Sequence, residues 1–336
     1  MKQFLSRLLF FLVPFLVGFL ALLGSYLLFD PFKVVHHHHS FSNSYVITNR
    51  DFISTETYLK NEKQQGYNSF IFGSSRTIAY RPASWKTHLQ QDAVPFMFDA
   101  SMESIYGIWK KIRFLDARKA PIKNVLIVLD QDVSFAHADD HSGHLFVKHP
   151  RISGHSSIPF HWTFFKAYCD INFLSAYVRY RATGKYVPQM RRYIEPRSIT
   201  CHPVTNEVTM VDIEAELAED SSLYYANRAK VFYRQRGESL NTTNKINEKH
   251  IRMMEDILSI LDKHNADLKV VISPLYDQKK FSAADMLVLK KLFGKNLYDF
   301  SGVNRFTTDK SGWYESSHYR PQVGDSIMRI VYRKPL

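Results

Sequence analysis

The chain is expected to form a membrane-tethered α/β protein. One N-terminal transmembrane helix should precede a three-layer domain built on a central parallel sheet. Three observations predict this. Residues 8–29 carry no charge and are dominated by Leu and Phe. Short apolar runs at 70–72, 94–98 and 124–129 each end in polar or Gly-containing turns and alternate with helical patterns. The same alternation returns near the C-terminus, with apolar runs at 268–274 and 296–300. Strands that alternate with helices build a parallel sheet through right-handed crossovers.

The first element is the apolar run. A membrane-crossing helix needs about 20 apolar residues, and Pro14, Gly18 and Gly24 are compatible with one. A cleaved signal peptide would need a shorter apolar core and a small-residue cleavage site. Phe29-Asp30-Pro31-Phe32 is a poor site, so the helix is expected to stay. Lys2 and Arg7 precede it and favour a cytoplasmic N-terminus, with residues 1–7 as a short tail and Lys33 opposing weakly. No second run of this length follows, so the remainder should face away from the cytoplasm.

The formal net charge of +12 favours anionic partners. On that side of a membrane these are lipid headgroups or an acidic envelope polymer, not nucleic acid. Residues 30–65 are expected to be a juxtamembrane linker with a short helix at 55–60. His36, His37, His38 and His39 fall in it as polar linker, since no Cys or carboxylate cluster accompanies them to complete a metal site. Cys169 and Cys201 form no C-x-x-C pair. Outside the cytosol they could form one disulfide or remain two thiols.

The domain should span 66–336. After the first strand, 83–91 reads as a helix, with Trp85 and Leu89 on one face. A helix at 105–117 follows the second strand, with Ile108, Ile112 and Leu115 at helical spacing. The alternation lapses from 133 to 243. This stretch is expected to be an insertion over the sheet's carboxyl edge, helical at 160–180 and 224–235, with Arg181, Lys185, Arg191, Arg192 and Arg197 as a basic patch. Regular helices resume at 244–264, 283–293 and 321–332.

The chemistry concentrates in two segments. Ser69-Phe70-Ile71-Phe72-Gly73-Ser74-Ser75-Arg76 is a buried strand that breaks at a glycine, which puts Ser75 at the carboxyl edge where open α/β sheets bind ligands. A serine there needs a base. Trp313-Tyr314-Glu315-Ser316-Ser317-His318-Tyr319-Arg320-Pro321 offers one, with a carboxylate three residues before a histidine. Together they are the parts of a Ser-His-acid array, provided that Ser75 Oγ comes within hydrogen-bond reach of the imidazole. Each residue also has a plainer role open to it. Ser75 could cap a helix, His318 could bond a carbonyl, Glu315 could pair with Arg320, and Arg76 could bind substrate charge or form an internal ion pair. Asp277 and Asp299 are other carboxylates near strand ends.

Phe72-Gly73-Ser74-Ser75-Arg76 and Tyr314-Glu315-Ser316-Ser317-His318-Tyr319-Arg320-Pro321 resemble the first and last motif blocks of SGNH (GDSL-like) hydrolases. The nearer likeness is to membrane-anchored SGNH-like proteins of bacterial envelope polysaccharide systems, similar to those of alginate O-acetylation and teichoic acid D-alanylation. The resemblance implies a flavodoxin-like three-layer sandwich, with Ser75 as nucleophile, His318 as base and Glu315 in place of the family's usual aspartate. It also implies an oxyanion hole from the serine N–H, a glycine after the second strand and an asparagine after the third. Here Asp99-Ala100-Ser101 and Asp130-Gln131-Asp132 stand at those places. The N–H of Ala100 or Ser101 and the Gln131 amide are the expected substitutes.

The expected function is that of an esterase or O-acetyltransferase acting on acyl esters of an envelope glycan or exopolysaccharide. By resemblance, a membrane-bound O-acyltransferase would be its partner. The alternative is a catalytically weak or inactive glycan-binding or scaffold protein, and a lipid esterase is a third option. No Walker loop, G-x-G-x-x-G or H-E-x-x-H motif occurs, so no cofactor or metal is expected.

Overall fold

The structure is a computed structural model that describes residues 2–232, 237–240 and 243–333. Its centre is a five-stranded, all-parallel sheet. The strands are β1 (Ser69–Gly73), β2 (Pro95–Met97), β3 (Asn124–Leu129), β4 (Asp267–Ile272) and β5 (Leu297–Asp299), in the order β2-β1-β3-β4-β5. Ile71 pairs with Met97 on one side and Leu126 on the other. β3 pairs with β4 along its whole length, and β4 with β5.

The helices used below are α1 (Lys2–Phe29), α2 (Arg50–Gln65), α3 (Ile105–Ala117), α4 (Ser157–Tyr168), α5 (Ile171–Thr183), α6 (Val211–Asn227), α7 (Glu248–Lys263), α8 (Ala283–Phe293) and α9 (Pro321–Val331). Side chains of a strand alternate between faces, and both faces here are apolar. Phe70, Phe72, Val125, Ile127, Leu129 and Val270 pack in one layer with Tyr58 of α2, Ile112 of α3, Ile257 of α7 and Leu289 of α8. The intervening Ile71, Leu126, Val128 and Val271 pack with Tyr80, Trp85 and Ile327 of α9. This is why the strands read as unbroken apolar runs.

Local chemistry sets the helix ends. Asn49 caps α2 by accepting the Phe52 N–H at 2.9 Å, and Gly66 closes it at φ 63°. Pro321 sits in the first turn of α9.

Several expectations need correction. Residues 30–65 are not a linker. Phe32, Val34 and Val46 are buried among Phe164, Phe173 and Tyr177 of the insertion, and residues 50–65 are the full helix α2 rather than a short one at 55–60. The helix expected at 83–91 is only Pro82–Lys86, preceded by a 3-10 turn, Ser75–Ala79. The helical stretch at 160–180 is two helices broken where Asp170 caps α5 by accepting the N–H groups of Asn172 and Phe173. The helix expected at 224–235 lies earlier. It is α6, ending at Asn227 and kinked at Asp220, and residues 233–235 lie outside the described residues. An antiparallel pair, Ile199–Cys201 with Val208–Met210, was not anticipated. Cys169 and Cys201 are both free thiols.

α1 contains a stretch, Phe10–Phe29, of mean hydropathy 2.3 that is long and apolar enough to cross a membrane. By length and composition a signal sequence passes the same test.

Candidate active site

β1 delivers the serine. At its end Gly73 has φ 153°, and a Cβ there would sit 2.7 Å from the Val128 carbonyl oxygen and 2.9 Å from Thr77 Cγ2. Only glycine lets β1 turn this close to β3. Ser75 then opens the 3-10 turn, which is held by Thr77 donating from its backbone and its hydroxyl to the Ser74 carbonyl at 3.0 and 2.8 Å. β1 lies between β2 and β3, so strand order reverses here. That is the point at which open sheets leave a crevice.

Arg76 turns away from Ser75 towards the end of β3. Its guanidinium lies 2.8 Å from Asp130 and 3.4 Å from Asp132. Asp130 also accepts the backbone N–H groups of Asp132 and Val133, each at 2.9 Å. Arg76 therefore locks the two turns together as an internal ion pair.

His318 arrives on a two-stranded hairpin, Trp313–Glu315 with His318–Tyr319, in which Glu315 pairs directly with His318. His318 Nε2 is 2.8 Å from Ser75 Oγ. On the other side of the ring, Nδ1 hydrogen-bonds Glu315 Oε1. A proton on Nδ1, shared with the carboxylate, leaves Nε2 as acceptor for the serine hydroxyl. Glu315 Oε2 accepts the Ser317 N–H at 2.7 Å. Burial pushes the Glu315 carboxyl up, but the hydrogen bonds from His318 and Ser317 and the His318 charge outweigh it and hold it below the usual range.

The insertion braces this hairpin. Tyr224 and Tyr225 of α6 donate to the carbonyls of Tyr314 and Trp313, at 2.6 and 3.0 Å. Glu214 accepts from the Tyr314 hydroxyl and pairs with Arg320 at 2.8 Å. From below, buried Tyr319 contacts the hydroxyls of Ser273 and Tyr80 at 3.0 and 3.1 Å. Arg320 thus pairs with Glu214, not Glu315.

Ser75 and His318 open into a cleft of about 250 Å³. Its walls come mainly from segments with no evident signal in the sequence, residues 41–53 and the 199–210 pair. Val46, Ile53, Ile78, Ile199, Val208 and Met210 make them largely apolar. Arg50 and Asp99 also line it, joined by two hydrogen bonds of 2.9 Å. Of the two, only Asp99 had a recognisable position, at the end of β2.

Ser101 lines the cleft beside Ser75 and His318. The other substitutes do not reach it. The Ala100 N–H is directed at the Gly73 carbonyl at 3.3 Å. The Gln131 amide donates to Asp132 at 2.7 Å. Asp277 pairs with Lys279, and Asp299 accepts from Ser301. Among the described residues, no three His, Cys, Asp or Glu side chains are grouped to hold a metal ion. The chain matches no protein-family model and no curated protein, so the chemistry of the cleft rests on its geometry.

Proposed function

We propose that this protein is a membrane-anchored, SGNH-like serine enzyme working on acyl esters of an extracytoplasmic glycan, as esterase or O-acyltransferase. The observation that carries this is the Ser75 Oγ–His318 Nε2 distance of 2.8 Å, with Glu315 on the opposite ring nitrogen. In this scheme Ser75 Oγ attacks the ester carbonyl while His318 takes its proton. His318 then protonates the leaving alcohol, and an acyl-Ser75 ester remains. Water or a sugar hydroxyl completes the cycle by the same proton route. The tetrahedral oxyanion would meet the N–H of Ser75, which opens its turn and lacks an intrahelical partner, and that of Ser101. The apolar walls suit the acyl group.

The packing of α1 favours a retained anchor. Tyr26 is buried against Phe165 and Tyr168, with ring centroids 5.6 and 5.5 Å apart. Cleavage after Phe29 would strip that cover away. In this reading α1 is retained with Lys2 and Arg7 in the cytoplasm, and the domain lies in the extracytoplasmic space.

A second reading, a glycan-binding or scaffold protein without turnover, draws on the turned-away Gln131 and Arg76. Loss of one oxyanion donor typically costs about 100- to 1000-fold in rate. The test uses the full chain in detergent, since residues 26–48 belong to the folded body. We expect a fluorophosphonate to label the wild type, and Ser75→Ala and His318→Ala each to lose both the label and hydrolysis of a chromogenic acetyl ester. A folded wild type that takes no label and turns over no ester decides for the scaffold.

A further inference from the structure

We infer that α4 and α5 form a second membrane contact, an interfacial foot that sinks into the leaflet on the domain's side and holds the domain flat on the bilayer. This rests on the retained anchor proposed above.

The first observation is where α4 meets α1. Phe165 packs edge-on against Phe19 at 5.6 Å and against Tyr26 at 5.6 Å. Tyr168 donates to the Ser25 hydroxyl at 2.9 Å. Phe19 lies ten residues before the end of the apolar stretch Phe10–Phe29, which is about 15 Å of helix at 1.5 Å per residue. A span of this length matches a hydrocarbon core of about 30 Å. A side chain that touches Phe19 is therefore below the level at which α1 emerges. The domain is not held off the membrane by a spacer.

The second observation is what α4 and α5 leave uncovered. Ile158, Trp162 and Ile171 are 78, 51 and 74% exposed. Ile158 and Trp162 are four residues apart and so share a helix face. Trp162 stands 5.6 Å from Phe165, the ring that touches Phe19. The apolar surface of the span thus continues onto α4. Exposed apolar side chains continuous with a membrane helix fit acyl chains.

The third observation is charge. Residues 155–192 contain six Lys or Arg (Lys166, Arg179, Arg181, Lys185, Arg191 and Arg192) and one acid, Asp170. Arg181 stacks at 4.4 Å over Phe29, the last residue of α1. That is where lipid headgroups would begin. A basic side chain at that level, on a segment rich in Lys and Arg, complements anionic headgroups.

The test places a fluorescent NBD label at single cysteines in the full chain, with Cys169→Ser and Cys201→Ser as background. The protein is reconstituted in phosphatidylcholine vesicles with a minor share of phosphatidylglycerol, with or without lipids carrying a doxyl quencher high on the acyl chain. Four positions are compared: Ile158→Cys, Ile171→Cys, Val17→Cys inside the span, and Leu287→Cys on α8, which packs against α7 and β5. We expect blue-shifted emission and at least twofold quenching at 158 and 171, and neither at 287. If 17 is quenched while 158 and 171 behave like 287, the anchor stands and the foot is wrong. The apolar face would then await a protein partner rather than lipid. If 17 is unquenched as well, the anchor itself fails.

Discussion

The Ser75–His318–Glu315 array and a second set of charges, Asp51, Glu103, Lys111 and Lys148, flank the same sheet. In the second set Lys111 lies 2.8 Å from Glu103 and 3.2 Å from Asp51, and Lys148 reaches both carboxylates. Its side chains are 0–6% exposed, against 24% for His318 and 32% for Glu315. Burial pushes the Asp51 carboxyl up, but Lys111 and Lys148 outweigh it and hold it far below its usual value. The shift there runs in the same direction as at Glu315. Yet the set is charge-balanced, with two cations and two anions that satisfy each other. The cleft array has a serine hydroxyl that opens into the cleft. A perturbed carboxylate therefore does not by itself mark a reactive centre. The proposed active site differs from the four-charge set in access and in having an available hydroxyl.

The largest effects should separate the two cleanly. Ser75→Ala should cost about 10,000-fold or more in ester turnover, as loss of a nucleophile does, and should leave thermal unfolding within ~0.5 kcal/mol of the wild type. Lys148→Met should do the reverse. It leaves two carboxylates with one cation in a closed site, a change that costs about 3–5 kcal/mol. That is a large share of a total stability of about 5–15 kcal/mol. Urea unfolding and turnover per folded molecule measure the two quantities. If Lys148→Met loses turnover without losing stability, the set belongs to the reaction and the contrast collapses.

A smaller effect probes how each set is held. Gly324 in α9 packs directly against the Ala79 backbone, at the end of the turn that starts with Ser75. Gly107 in α3 leaves room for Glu103 and Lys148. Overpacking of this kind costs about 1–3 kcal/mol. Gly324→Ala should lower the catalytic rate as well as stability, because the obstructing atoms are backbone and the Ser75 turn must shift. Gly107→Ala should lower stability alone. Equal kinetic losses in both would show that the Ser75 turn is not specifically supported by α9.

The two sets also differ in how far the sequence discloses them. Ser75 and the Glu315/His318 pair are short motifs beside regular elements, so their positions could be read directly. β3 and α3 were legible to the residue, because Val125–Leu129 is apolar on both faces and Ile108, Ile112 and Leu115 keep helical spacing. α2 was underestimated because it buries polar residues, among them Asp51, Ser54, Thr55 and Asn61. These blur the apolar stripe. The four-charge set draws on positions 51, 103, 111 and 148, and the cleft wall on 41–53 and 199–210. Tertiary packing alone brings either together. Gln131 sits where an oxyanion donor was expected, but the neighbouring Asp132 offers its amide a nearer acceptor.

The smallest expected effect is the acid limb of stability. Asp51 is ionised in the folded state well below its unfolded pKa of about 3.9. A carboxylate depressed on folding stabilises above its unfolded pKa and loses that contribution as pH falls towards the folded value. The Tm gap between wild type and Asp51→Asn should therefore be full at pH 7, begin to close below about pH 5, and narrow further towards pH 3. Glu315 is shifted in the same direction, but its side chain is a third exposed and solvent screens its interactions. For Glu315→Gln the gap should be small and nearly flat over the same range. Circular dichroism melts at several pH values distinguish the cases. An Asp51 gap that does not change between pH 7 and 3 would mean that Asp51 folds in as a neutral acid, and the balance of two cations against two anions would be wrong.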